Sequence, residues 1–212
     1  MIKPFVTLNI QKYIKLRAVL LDCPFVKETE IKIGSCGGDK MEKGKIIILN
    51  GVSSSGKSTL AKVLQDRSPI PLYKLDIDDF ILMAPDKFND YANNDFSVQY
   101  ALASKFFHVV KLISDFGLSI VAPYMFFKNS DTLSECRQLL DGYPVLVVNV
   151  ICPTEELRKR EIKRENRTIG SAVSQLQLLE TNFDNCLFVD NYVNSNELCA
   201  DTIIKSLFIS CE

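Results

Sequence analysis

The stretch Gly51-Val52-Ser53-Ser54-Ser55-Gly56-Lys57-Ser58-Thr59 carries the plainest chemical signal in the chain. It satisfies Gly-x-x-x-x-Gly-Lys-Ser, with the β-branched run "KIIIL" before it and the helical "KSTLAKVLQDR" after it. The glycines let the backbone turn its N–H groups inward, and the start of a helix adds positive potential, so the loop reads as a phosphate cradle. Every residue from Gly51 to Thr59 is a candidate nucleotide contact. Lys57 would reach the outer phosphates of a nucleoside triphosphate, and the Ser58 hydroxyl would ligate an accompanying Mg2+. The loop alone does not say what is attacked: water, a protein or a small molecule.

Two further clusters bear on that question. In "LDIDDF", period-two alternation puts Asp76 and Asp78 on one side of a strand and turns Asp79 elsewhere. If that side faces the cradle, one carboxylate would order magnesium through water and the other would accept a hydroxyl proton. A solvated acidic turn is the plainer alternative. In "RKREIKRENR", Arg160, Arg164 and Arg167 fall at spacings of four and three, on one helix face. Guanidinium groups so placed suit a lid over a transferring phosphoryl, whereas a solvated face with Glu161 and Glu165 in ion pairs is the plainer reading. His108 is the only histidine, on the apolar side of an expected helix, and reads as packing. A general base is therefore sought among the carboxylates.

The elements that must position these groups alternate along the chain. Strands are expected at "KIIIL", "LYKLDI", "LSIVA", "PVLVVNVIC" and "CLFVD". Helices are expected at "KSTLAKVLQDR", at "FSVQYALASKFFHVVKLISDF" ending at Gly117, at "DTLSECRQLLDG" capped by Ser130 or Asp131, at "PTEELRKREIKREN" and at "NELCADTIIKSLF". Strands apolar on both faces, alternating with helices, imply a parallel sheet covered on both sides, with ligands at the carboxyl ends of its strands.

Composition sets outer limits. The 212 residues suffice for one sizeable core, and a formal net charge of −1 gives no electrostatic attraction to nucleic acid. No apolar run approaches the roughly 20 residues that span a bilayer, and the N-terminus lacks a signal-peptide plan, so a cytoplasmic protein is expected. The 7 cysteines are scattered and none is in C-x-x-C spacing; Cys136, Cys152, Cys186 and Cys199 sit among apolar neighbours as core thiols do. The glycine-rich "GSCGGDK" before Met41 divides residues 1–40 from a domain over 41–212. Residues 1–40 are either an extension packing on that domain or sequence upstream of a true start at Met41.

Together these pieces resemble the chloramphenicol phosphotransferase family of P-loop kinases. The resemblance rests on "IIILNGVSSSGKSTLAKVLQ", on the run from Pro69 to Asp78 with "MAP" soon after, on "RKREIKRENRTIGSA" and on "FVDNYVNSNELCADTI". It covers Lys45 to about Leu207. It implies an α/β three-layer kinase fold with a five-stranded parallel sheet, helices on both faces and a helical lid, related to nucleoside monophosphate kinases and shikimate kinase. It also implies ATP and Mg2+, with the γ-phosphoryl passing to a small hydroxylated substrate. By position, Asp78 matches the family's base, Lys57 and Ser58 its P-loop functional residues, and Arg164 and Arg167 its lid arginines. Arg160 is assigned to the nucleotide. Asp76-Ile-Asp78 is similar to the D-x-D of shikimate kinases, in which the first acid helps hold magnesium and the second meets the substrate. The fold analogy puts the adenine near Asn191 to Ser195.

The chain departs from the family pattern at two segments. Ala122, Pro123 and Tyr124 stand where an acidic pair is expected, and Asp86 to Asp95 is unlike the family's glycine-rich segment. The acceptor therefore stays open. Alternatives are a nucleotide, nucleoside or shikimate-type kinase, or a non-catalytic NTP-dependent switch, which would need no Asp78.

Overall fold

A computed structural model describes residues 42–81, 97–163 and 170–209, all within the compact unit Lys40–Glu212. The strands are β1 (Ile46–Asn50), β2 (Leu72–Lys74), β3 (Ser119–Tyr124), β4 (Val145–Ile151) and β5 (Leu187–Asp190). The helices are α1 (Lys57–Arg67), α2 (Ile77–Ile81), α3 (Ser97–Asp115), α4 (Asp131–Leu139), α5 (Thr154–Ile162), α6 (Ser171–Leu178) and α7 (Asn196–Ile209). The strands form one parallel sheet in the order β2-β3-β1-β4-β5. No helix among the described residues is long and apolar enough to cross a membrane.

The sequence of β1 explains its central place. Ile46, Ile47, Ile48 and Leu49 are all buried, and successive side chains leave opposite faces of a strand. Ile47 and Leu49 enter one core with Leu60, Ala61 and Leu64 of α1 and Ala200, Ile203 and Leu207 of α7. Ile46 and Ile48 enter the other with Phe106, Phe107 and Val110 of α3 and Leu133 and Cys136 of α4. Full burial of one such aliphatic side chain is worth ~1.5–3 kcal/mol, so a polar residue at any of these positions would forfeit that and add the cost of an unpaired buried group. In register, Ile46 pairs with Ile120 on one side and Val145 on the other. The carboxyl end of β1 thus opens between those of β3 and β4.

Helix ends mostly fall where their residues dictate. Gly117, at φ +74°, terminates α3 in the left-handed conformation that glycine tolerates, and its N–H donates to Ser114 O at 2.9 Å. Ser130, not Asp131, caps α4: its Oγ accepts from the Leu133 N–H at 3.3 Å. The described part of the expected arginine helix is α5, which runs through Ile162 with Lys163 at its end.

Three local readings need correcting. β2 stops at Lys74 instead of continuing through Ile77, because Asp76 caps the short helix α2. His108 is exposed: Phe106, Phe107 and Val110 define the inward arc of α3 and His108 falls outside it, so the packing role is not met. The "SAVSQLQL" segment forms α6, a helix that the periodicity did not disclose because "AVSQLQLL" is equally compatible with alternation. The loop from Asp86 to Asp95 lies outside the described residues.

Candidate active site

The cradle is built from backbone first. Ser54 takes φ +60° and Gly56 φ +98°, and this alternation of hand curls the chain, with the Ser55 N–H turned back on Val52 O at 3.3 Å. Both motif glycines have a steric reason. A Cβ at Gly51 would stand 2.8 Å from Val150 O of β4, and one at Gly56 would collide with the Asn191 amide. Helix α1 begins at Lys57 with no acidic residue in its first turn and no side-chain cap among the described residues. Its N-terminal potential is thus directed at whatever occupies the loop. The Ser54 and Ser55 hydroxyl oxygens are buried with no hydrogen-bond partner among the described residues, as suits a loop that takes a polar ligand. Lys57 Nζ donates to Gly51 O at 2.7 Å and Val52 O at 2.8 Å, which holds its charge in the curve of the loop.

Behind the loop, a buried amide pair fixes the ends of two strands. Asn50 Nδ2 donates to Asn149 Oδ1 at 2.8 Å and to Glu180 O at 2.7 Å, while Asn50 Oδ1 accepts from the Phe126 N–H at 2.9 Å. Asn149 Nδ2 in turn donates to Thr181 O at 3.0 Å. The sequence signal was present, a polar residue at the end of one apolar strand and another within a second, but it does not disclose the partner.

The carboxylates sit differently from a strand alternation. Asp76 precedes α2 and Asp78 lies in its first turn, so the two are separated by a helix start. Asp76 is buried: its Oδ1 accepts from the Asp78 N–H at 3.2 Å, and its Oδ2 accepts from Ser58 Oγ at 3.2 Å and pairs with Lys74 Nζ at 3.2 Å. Partial burial works against the Lys74 ammonium, yet the hydrogen bonds and charges of Asp76 and Asp79 outweigh it and raise its pKa. Asp78 is exposed and lines one cleft together with Ser53, Ser54, Gly56, Lys57, Ser58, Met125 and Gln175. Ser58 and Asp76 supply the hard oxygen donors that Mg2+ takes, so this chain's residues fit that ion.

Of the three arginines, Arg160 is in view. From α5 it donates through Nε to Glu156 at 2.8 Å and through one terminal nitrogen to Ser55 O and Asn191 Oδ1, each at 3.3 Å, and to Ser54 O at 3.5 Å. It backs the carbonyl side of the cradle. Asn191 Nδ2 also donates to Ser55 O, which ties the turn after β5 to the loop. Arg164 and Arg167 lie outside the described residues. Glu161, an ion-pair partner in the plainer alternative for this segment, is buried: its carboxylate accepts from the Gly170 N–H at 2.9 Å and the Ala172 N–H at 2.6 Å, capping α6. Helix α6 then delivers Gln175, whose Oε1 accepts from the Ser53 N–H at 2.8 Å.

Comparison with known proteins agrees with this geometry. The family model described as chloramphenicol phosphotransferase-like protein matches residues 44–208. No curated protein matches the chain significantly. Among solved structures, a sugar kinase from Janibacter sp. HTCC2649 is similar at TM-score 0.62 and 21% identity, covering 79% of this chain and 96% of that one. The Mycobacterium tuberculosis APS kinase, solved with AMPPNP and APS, gives TM-score 0.56 and 17% identity over 79% and 98%. The shikimate kinase of Acinetobacter baumannii, solved with shikimate, gives 0.53 and 16% over 81% and 97%. At these identities the likeness speaks to the fold: a five-stranded parallel P-loop kinase sheet.

Proposed function

The chain belongs to the chloramphenicol phosphotransferase-like family, whose kinase chemistry is the premise from which we propose that it moves the γ-phosphoryl of ATP to a hydroxyl of a small molecule. The observation that carries this reading is Asp78, a carboxylate on the rim of the cleft that Lys57 and Ser58 also line. A loop that merely bound a nucleotide would need no carboxylate on that rim, whereas a hydroxyl acceptor needs a group to orient it and take its proton.

In this mechanism Asp78 orients the acceptor hydroxyl and takes its proton as the oxygen attacks the γ-phosphorus. The bond from phosphorus to the β,γ-bridging oxygen breaks, and ADP leaves with the electron pair. Within Gly51 to Thr59, Lys57 and the N–H groups at the start of α1 hold the phosphates through the transfer, while the Ser53 N–H stays on Gln175. Mg2+, held by Ser58 with Asp76 behind it, would neutralise charge on the phosphate oxygens. Arg160 contributes to nucleotide binding, and Arg164 and Arg167 close over the developing charge. The adenine lies by the turn Asn191 to Ser195. The kinase domain is 41–212, preceded by residues 1–40, which are either an extension or sequence upstream of a start at Met41.

The test is ADP release with ATP alone and then with hydroxylated antibiotics, shikimate-like acids and nucleosides, for the wild type and Asp78→Asn, and for the chain begun at Met41. Acceptor-stimulated turnover should fall ~100-fold or more in Asp78→Asn, the usual contribution of a general base, and should survive the shortening. Stimulated turnover unchanged in Asp78→Asn would overturn the mechanism. Slow hydrolysis that no acceptor accelerates would favour a switch.

A further inference from the structure

Gln175 is on α6, outside the motifs that carry the kinase reading, yet it lines the same cleft as Lys57 and Asp78. Its amide orientation is fixed by chemistry, because the Ser53 N–H can only donate and so must face Oε1. The two donors of Nε2 are then directed away from the loop backbone. One reaches Ser171 Oγ at 3.5 Å, the outer limit of a hydrogen bond, which leaves the amide with donor capacity beside the phosphate cradle. The side chain is half-buried and anchored through Oε1 on Ser53, so it is oriented before any ligand arrives. A preoriented neutral donor aimed at an oxyanion is worth far more than a mobile one.

We propose that Gln175 is a phosphate-binding residue: anchored through Oε1 on Ser53, it donates from Nε2 to the γ-phosphoryl oxygens of ATP. This rests on the kinase reading above and adds to it a contact specific to the third phosphate. It also gives α6 a purpose beyond packing, since Glu161 caps the helix that presents the amide.

A plainer role would be to pin α6 on the loop through the Ser53 bond alone. Gln175→Glu separates the two, because a carboxylate of the same shape still accepts from the Ser53 N–H but has no donor and brings a negative charge toward the phosphate. Calorimetric Kd values for Mg2+-ADP and Mg2+-AMPPNP on the full chain give the readout. In Gln175→Glu the AMPPNP affinity should fall ~10-fold or more, as for loss of a hydrogen bond to a charged group, while the ADP affinity stays within ~twofold. Gln175→Ala, should the glutamate variant fail to fold, removes the same bond without adding a charge and should still lower AMPPNP affinity ~10-fold relative to ADP. An unchanged AMPPNP-to-ADP ratio in the folded variant, whether both affinities hold or both fall together, would overturn the proposal. A wild-type chain that binds neither nucleotide would instead overturn the kinase reading.

Discussion

On the β1–α1 side the loop owes its form mainly to its own backbone, and on the α5–α6 side it is braced by side chains. The difference shows in what holds each side. The cradle's shape comes from local dihedrals, Ser54 at φ +60° and Gly56 at φ +98°, within one short stretch of chain. Arg160 and Gln175 depend on partners far along the chain, Ser55 for the one and Ser53 for the other. Backbone geometry offers little to adjust without losing the site, whereas the side-chain half can be retuned one residue at a time. In the mechanism proposed above, binding of the common phosphates belongs to the first side, and discrimination among phosphate states to the second.

The sharpest way to break this contrast is Gly56→Ala. A side chain at φ +98° is strained wherever it has room, at ~1–3 kcal/mol, and here the added carbon would also push Asn191 off Ser55 and meet an Arg160 nitrogen at 3.4 Å. ADP affinity should fall ~10–100-fold, the equivalent of that strain passed into binding. Titration calorimetry reads it directly. A Kd within twofold of wild type would mean that the loop's curvature is not what binds.

Glu161→Gln attacks the other side. The buried carboxylate accepts two N–H groups, and an amide can accept only one while turning its own donors on the second. One buried unsatisfied donor costs ~1–3 kcal/mol, which for a chain of this length lowers Tm by roughly 2–10 °C. ADP affinity should stay within ~threefold, because the cradle itself is untouched. A thermal scan showing no loss of Tm would mean that α6 is held by its apolar contacts, Ala172 and Leu179 against Val52 and Leu157, without help from the cap.

These two substitutions also mark what the sequence could and could not disclose. Gly56 was legible because its requirement is local: motif, preceding strand and following helix are contiguous. The sheet was legible for the same reason, since "IIIL" and "PVLVV" need burial on both faces wherever they sit. Asp76 was recognised by type but placed on a strand, because alternation carries no information about where a capping side chain ends it. Glu161 looked like one more charge in a charged run; only its position against α6 makes it a cap. Asn50 and Asn149 are 99 residues apart, and no local rule pairs them. Gln175 lay in a segment whose own element was unread.

Arg160→Met probes the boundary between the two sides and should have the smallest effect. The guanidinium sits on the carbonyl face of the loop, so it acts by holding the Ser54 and Ser55 carbonyls in place. Its pairing with Glu156 is partly exposed, at 27% and 22% of the two side chains, so solvent screening limits that pair to ~1 kcal/mol or less. Stability should hardly move, with Tm within ~3 °C of wild type, and ADP affinity should fall ~3–5-fold for loss of roughly one neutral-acceptor hydrogen bond. Arg160→Lys should not restore it, because an ammonium cannot bridge Glu156, Ser55 and Asn191 at once. A loss beyond ~30-fold would place the guanidinium on the phosphates themselves, since a charge-assisted bond to an anion is worth about twice a neutral one. No loss at all would leave Arg160 as a surface ion pair and the cradle as a structure that stands without support from α5.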